Sequence, residues 1–201
     1  YLNLVGSFSY SSPVVSSGTL YVGNLDHRLY ALDSQTGKMR WRYKTDAPIT
    51  SSPVVDEEIL YFGSNDGHVY SIDCHDHLRP RVLWKAKTKD WVNSSPFIDG
   101  DRLYVGSNDK YLYALAKSTG RVEWTYRTYG TIVSIPKVYN NLVVVAGGSG
   151  DGRLYLMQKS NGELFWSFDT GSKVDSDPVL DGNQLYISSA DGFLYSFAIQ
   201  K

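Results

Sequence analysis

The stretch of this sequence richest in metal donors is Cys74-His75-Asp76-His77, with a thiol, two imidazoles and a carboxylate on four consecutive residues. These donors suit a divalent metal, but a tetrahedral site needs a second pair at suitable spacing elsewhere. The other two histidines, His27 and His68, fall in or beside separate predicted hairpins, and Cys74 is the only cysteine. The stretch therefore reads as a polar insertion on a surface loop, with no metal. Five aspartates, Asp26, Asp66, Asp109, Asp151 and Asp191, recur at similar intervals. Calcium needs several oxygens converging on one point. One carboxylate per unit is instead what a turn uses to bond its own backbone. Ser11, Ser51, Ser94, Ser134 and Ser176 also share one register, which marks a structural hydrogen bond rather than five nucleophiles. The sequence contains no Ser-His-Asp pattern, zinc-protease helix motif, P-loop or dinucleotide fingerprint, so no catalytic residue is assigned.

These recurrences belong to a repeat. Pro13, Pro53, Pro96, Pro136 and Pro178 are spaced by 40, 43, 40 and 42 residues, and Trp41, Trp84, Trp124 and Trp166 each stand 12 residues before the next proline. Each unit reads as four short strands. In the second they are ITSSPVV (49–55), ILYFG (59–63), HVYSID (68–73) and VLWKA (82–86), with Asn65-Asp66-Gly67 as the hairpin turn. A period of about 40–45 residues with four strands per unit is the signature of a propeller blade. The expected fold is all-β: a five-bladed β-propeller of four-stranded antiparallel blades, one domain over residues 1–201. The fifth unit stops after its third strand. YLNLV (1–5) falls in the register of the tryptophan strand, so it is expected to complete the C-terminal blade and close the ring, removing a sheet edge. Five blades of a larger propeller are the alternative.

Positions that vary inside a rigid register are free for function. Five, three and one residues before the prolines, the side chains share a face opposite the serines, on the strand expected to line the central channel. This gathers Phe8, Tyr10, Trp91, Asn93, Lys173, Asp175 and Asp177 near one mouth of the channel. Aromatics beside a few polar and charged groups suit a small polar ligand or a protein segment; the alternative is that they plug a narrow channel.

With 20 basic and 21 acidic residues interspersed, the chain has no basic footprint for nucleic acid. No apolar run is long enough to span a bilayer. The first residue is tyrosine, so a processed product is expected and a removed leader is compatible with it.

ALDSQTGKMRW (31–41) resembles the tryptophan-docking motif of the pyrroloquinoline-quinone (PQQ) repeat family through Ala31, Asp33, Thr36, Gly37, Lys38 and Trp41. ALAKSTGRVEW (114–124) keeps Ala114, Thr119, Gly120 and Trp124; LMQKSNGELFW (156–166) keeps Gly162 and Trp166; in the second unit CHDHLRPRV replaces the Thr-Gly turn. The resemblance covers the whole chain. It implies that Trp41, Trp84, Trp124 and Trp166, with Gly37, Gly120 and Gly162, are structural, each indole tying one blade to its neighbour. Dehydrogenases of the family use a longer eight-bladed ring, a calcium ion and an aspartate base, and some have vicinal cysteines. Here a single cysteine excludes such a pair. The resemblance thus implies the non-catalytic branch: a monomeric recognition or scaffold propeller without cofactor, binding a protein partner or small polar ligand, in an extracytoplasmic (periplasmic or cell-surface) location. A cofactor-binding domain of a quinoprotein dehydrogenase and a purely structural ring are the alternatives.

Overall fold

The computed structural model describes residues 10–199, and its strands form five antiparallel sheets arranged as the blades of a propeller. The first blade is β1 (Val14–Ser16), β2 (Thr19–Gly23), β3 (Arg28–Asp33) and β4 (Met39–Lys44). The second is β5 (Val54–Asp56), β6 (Ile59–Ser64), β7 (His68–Asp73) and β8 (Arg81–Lys87). The third is β9 (Phe97–Asp99), β10 (Arg102–Gly106), β11 (Tyr111–Ala116) and β12 (Val122–Arg127). The fourth is β13 (Lys137–Tyr139), β14 (Leu142–Ala146), β15 (Arg153–Gln158) and β16 (Leu164–Asp169). The fifth has, among the described residues, the strands β17 (Val179–Asp181), β18 (Gln184–Ser188) and β19 (Leu194–Ala198). Among the described residues there is no helix. The strand expected to close the ring, Tyr1–Val5, lies outside them, as does Phe8.

Alternation puts successive side chains on opposite faces of a strand, and here both faces are apolar. Leu60, Phe62, Tyr70 and Ile72 of the second blade pack on Tyr21, Ala31 and Trp41 of the first. The same ridge recurs as Leu103, Val105, Tyr113 and Leu115 against Tyr61, Val69 and Trp84. It recurs again as Val143, Val145, Tyr155 and Met157 against Tyr104, Leu112 and Trp124, and as Leu185, Ile187, Tyr195 and Phe197 against Val144, Leu154 and Trp166. Among the described residues the core is thus four layers between five sheets, with a further buried cluster of Val22, Tyr30 and Leu32 on the first sheet. Among the described residues nothing covers the far face of the fifth sheet in the same way: its Leu194 is 71% exposed, whereas Leu29, Val69, Leu112 and Leu154 at the same register are fully buried.

The tryptophans show how the layers are tied. The indole of Trp84 donates to the Lys117 carbonyl of the next blade (3.0 Å), and that of Trp124 to the Lys159 carbonyl (3.1 Å). Each ring lies on a glycine. A Cβ at Gly120 would fall 2.5 Å from the Trp84 ring, and one at Gly162 2.4 Å from the Trp124 ring; both glycines also have φ near +70 to +76°, which disfavours any side chain. Gly37 has the same turn conformation, φ +69°. Trp41 faces the longer Cys74–Pro80 connection instead of a Thr-Gly turn, and its buried indole N–H finds no acceptor. Trp166 is half-buried, since the fifth blade presents no docking turn among the described residues.

Replacing Trp124 by alanine removes a buried indole and leaves a cavity, at an expected cost of about 3–5 kcal/mol. The half-buried Trp166 should cost clearly less. Urea unfolding of the two variants checks this, and equal losses would contradict the docking role.

Candidate functional site

Two rims and an inner lining complete each blade. On one rim the hairpin aspartates do more than shape a turn. Asp26, Asp66, Asp109, Asp151 and Asp191 each accept a bond from a tyrosine hydroxyl four residues on (Tyr30, Tyr70, Tyr113, Tyr155, Tyr195) at 2.5–2.6 Å. Each also accepts the backbone N–H two residues on. At three junctions the second carboxylate oxygen accepts an N–H from the loop entering that blade: Asp46 to Asp66, Lys89 to Asp109 and Tyr129 to Asp151. Thr45, Thr88, Thr128 and Thr170 secure the same loops. Each hydroxyl lies within bonding distance of a hairpin carbonyl of its own blade and of the carbonyl two residues ahead.

The register serines have the backbone role expected of them. Ser51, Ser134 and Ser176 each bond both the N–H and the carbonyl of a second-strand residue, Gly63, Ala146 and Ser188, and Ser11 accepts from Gly23. Closer to the axis, the residue before each proline links blades. The Ser12 N–H donates to the Ser52 hydroxyl (2.9 Å), the Ser52 N–H to the Ser95 hydroxyl (2.8 Å), and the Ile135 N–H to the Asp177 carboxylate (2.6 Å). The third blade has no such acceptor ahead of it, because Ile135 carries no oxygen. There Ser94 turns from its own blade and donates to the Ser134 carbonyl (2.8 Å).

This lattice engages several of the expected site residues. Asp177 holds the fourth and fifth blades together. Asn93 accepts from Thr50 (2.7 Å) and approaches Asn108 at 3.3 Å. Lys173 and Asp175 form an ion pair at 2.5 Å on the surface. Tyr10 is 77% exposed and Trp91 53%. Trp91 and Lys173 line different grooves on the hairpin rim. The first, about 760 Å³, runs between the second and third blades and includes Asp66, Lys87, Lys89, Trp91 and Tyr113. The second, about 320 Å³, includes Asp151, Arg153, Asp169 and Lys173.

Sequence reasoning missed two aromatics on this rim, Tyr129 (67% exposed) and Phe193 (66%). Arg153 lies 4.6 Å over the Tyr129 ring, and Lys89 5.4 Å over Tyr111. The available signal was the residue after each rim threonine, which varies through Asp46, Lys89, Tyr129 and Gly171 inside a fixed register. In the donor-rich stretch, Cys74 is buried, its thiol pushed up to about 11 by that burial, while His75 is turned outward against Asp73. Among the described residues no three His, Cys, Asp or Glu side chains are grouped to hold a metal ion.

Five sheets with tryptophan-docked layers define a propeller of PQQ-like repeats. The chain belongs to the family described as outer membrane protein assembly factor BamB, whose model matches residues 4–80 and 132–201. No protein of curated function matches it. Among solved structures, BamB from Moraxella catarrhalis is 19% identical with a TM-score of 0.78, covering 98% of this chain and 61% of its own. The computationally designed Ika8 protein is 17% identical with a TM-score of 0.81 (93% and 57%), and a chain of the mitotic checkpoint complex 16% identical with a TM-score of 0.80 (93% and 60%). At such identities the likeness is one of fold, and the chain spans about three-fifths of the length of these structures.

Tyr155→Phe should destabilise by about 1.5–3 kcal/mol, because the fully buried Asp151 carboxylate loses a charge-assisted bond. Tyr195→Phe, whose aspartate partner Asp191 is at a more exposed hairpin, should have a smaller effect by the same urea titration. Burial also pushes the phenols of Tyr21 and Tyr61 up to about 12, and burial with the aspartate bond raises those of Tyr70, Tyr113 and Tyr155. Above about pH 10 the unfolded chain releases these protons while the folded chain keeps them. Stability should therefore hold below pH ~10 and fall as pH rises towards about 12. Melting temperature followed together with tyrosinate absorbance tests this; free titration of all tyrosines near their ordinary value in the folded protein would contradict it.

Proposed function

We propose that this chain is a non-catalytic recognition or scaffold propeller that takes a protein partner on its hairpin rim. The observation that carries the reading is the contrast in aromatic placement. Framework tyrosines and tryptophans are packed between blades, whereas Trp91, Tyr129 and Phe193 stand exposed on rim loops and hairpins, with Arg153 over the Tyr129 ring and Lys89 lining the groove of Trp91. Tryptophan, tyrosine and arginine are the side chains enriched in protein-binding hot spots. The family description, an outer membrane protein assembly factor, supports a role in holding other proteins together and an extracytoplasmic location.

A small polar ligand at the channel mouth is the second reading. It draws on the exposure of Tyr10 and on Trp91, Asn93, Lys173, Asp175 and Asp177; of these, Asn93 and Asp177 already bond neighbouring blades.

The test is affinity capture from envelope extract of the source organism with the native chain and a Trp91→Ala/Tyr129→Ala variant. Proteins retained by the native chain should be lost from the variant, with melting temperature within a few degrees because both side chains are solvent-facing. Equal retention by the variant would move the binding surface elsewhere.

A further inference from the structure

We propose that the groove between the second and third blades takes an extended acidic segment of a partner protein, with carboxylates for Lys87 and Lys89 and an adjoining apolar side chain for Trp91. The inference rests on the reading of the hairpin rim as the binding face and names the chemistry of what binds there. The groove, about 760 Å³, is lined by these three residues together with Asp66, Asp90 and Tyr113. Both lysines and Trp91 are exposed. β8 ends at Lys87, and Thr88 is buried between the two exposed lysines, so alternation turns both ammonium groups to one side.

Charge without a counter-charge sets this groove apart. In the other groove on the same rim, Arg153 pairs with Asp169 at 2.7 Å and Lys173 with Asp175 at 2.5 Å. In a groove of about 310 Å³ on the opposite rim, Arg102 pairs with Glu123 at 2.6 Å, and Lys159 pairs with Asp99. Among the described residues neither Lys87 nor Lys89 has an ion pair; Lys89 lies 5.4 Å over the Tyr111 ring instead. The residues outside 10–199, YLNLVGSFS and QK, include no aspartate or glutamate, so no side-chain carboxylate comes from there either. The groove's own carboxylates are engaged. Asp66 accepts the Tyr70 hydroxyl and the N–H groups of His68 and Asp46, and its side chain is only 5% exposed. Asp90 accepts the N–H of Trp91 at 2.7 Å.

The groove is held in shape before anything enters it. The Thr88 hydroxyl lies between the Gly67 and Asp90 carbonyls, the Lys89 N–H donates to Asp109, and the Trp91 carbonyl accepts the Asn108 N–H at 2.8 Å. Little ordering is therefore left to be done on binding. A segment that displaces water from the groove lowers the local dielectric and strengthens its attraction to the two ammonium groups. The indole adds apolar area for a neighbouring side chain. In an extended segment, side chains two residues apart share a face. Acidic residues at alternate positions thus match Lys87 and Lys89, which are themselves two apart. Nucleic acid makes poorer use of the site: the chain's net charge is -1, and the two lysines stand beside Asp90 and an indole.

The probe is a phage-displayed random peptide library selected on the full chain. Retained peptides should be rich in aspartate and glutamate beside an aromatic or aliphatic residue. A labelled synthetic copy, titrated by fluorescence anisotropy, should bind Lys87→Gln/Lys89→Gln about tenfold more weakly than the native chain. Lys87→Arg/Lys89→Arg should keep the binding, and thermal melts confirm that both variants fold. Recovery of no peptide, of peptides without acidic residues, or of peptides that the glutamine variant binds equally overturns the proposal. If peptides of the last two kinds are still lost on Trp91→Ala, the rim remains the binding face and only the acidic partner falls; if they ignore Trp91→Ala and Tyr129→Ala alike, the rim reading falls with it. Single-stranded DNA that binds more tightly than the peptides, or self-association of the chain that the glutamine variant abolishes, assigns the lysines to a polyanion or to a second copy and also overturns it.

Discussion

Each sheet of this protein is apolar on both faces, so a blade buries itself only between two neighbours, and the rest of the structure follows from meeting that requirement. A four-stranded sheet has two large faces and little thickness, and leaving one in water forfeits the apolar burial that stabilises it. The tryptophan is the device that couples one layer to the next. It belongs to the fourth strand of one blade by hydrogen bonding, yet its ring rests on a glycine turn of the following blade and its N–H bonds a carbonyl there. Stability is consequently a sum over junctions rather than a property of any blade, as in other repeat architectures. Where the docking turn changes, as at Trp41, or has no counterpart among the described residues, as at Trp166, the junction keeps its apolar contacts without the polar tie seen at Trp84 and Trp124.

Much of this was legible in the sequence because the same physical demand recurs five times. The proline and tryptophan spacing gave the blade boundaries, and the Leu-Tyr alternation gave the two-sided strands. The serine register gave a backbone bond, which the hydroxyls make. What stayed hidden were bonds between residues about 20 or 40 positions apart. Asp66 reads as a turn residue, and its local bonds are those of a turn; nothing in its neighbourhood announces the N–H of Asp46 arriving from the previous blade. Asp177 and Asn93 read as free polar groups in a channel because their partners, Ile135 and Thr50, lie one blade away. Likewise the bond of Ser94 to the Ser134 carbonyl joins residues 40 positions apart and is not announced by its neighbours.

The polar lattice also explains why the rim is a suitable place for recognition. The threonine hydroxyl closes each loop onto its own hairpin, and at three junctions the next blade's aspartate fixes the N–H of the following residue. The loop backbone is therefore held at both ends by groups that do not vary. Side chains at the next few positions are free to be aspartate, lysine, tyrosine or tryptophan without disturbing the blades. A binding surface built this way is ordered before its partner arrives, which reduces the entropy lost on association. The inner lining lacks that freedom, since at most junctions its side chains are themselves the ties between blades. Variation can accumulate on the rim at little cost in stability, while near the axis a change such as Ile135 removes a side-chain acceptor from the inter-blade ladder. That asymmetry directs the functional reading outward, to the loops.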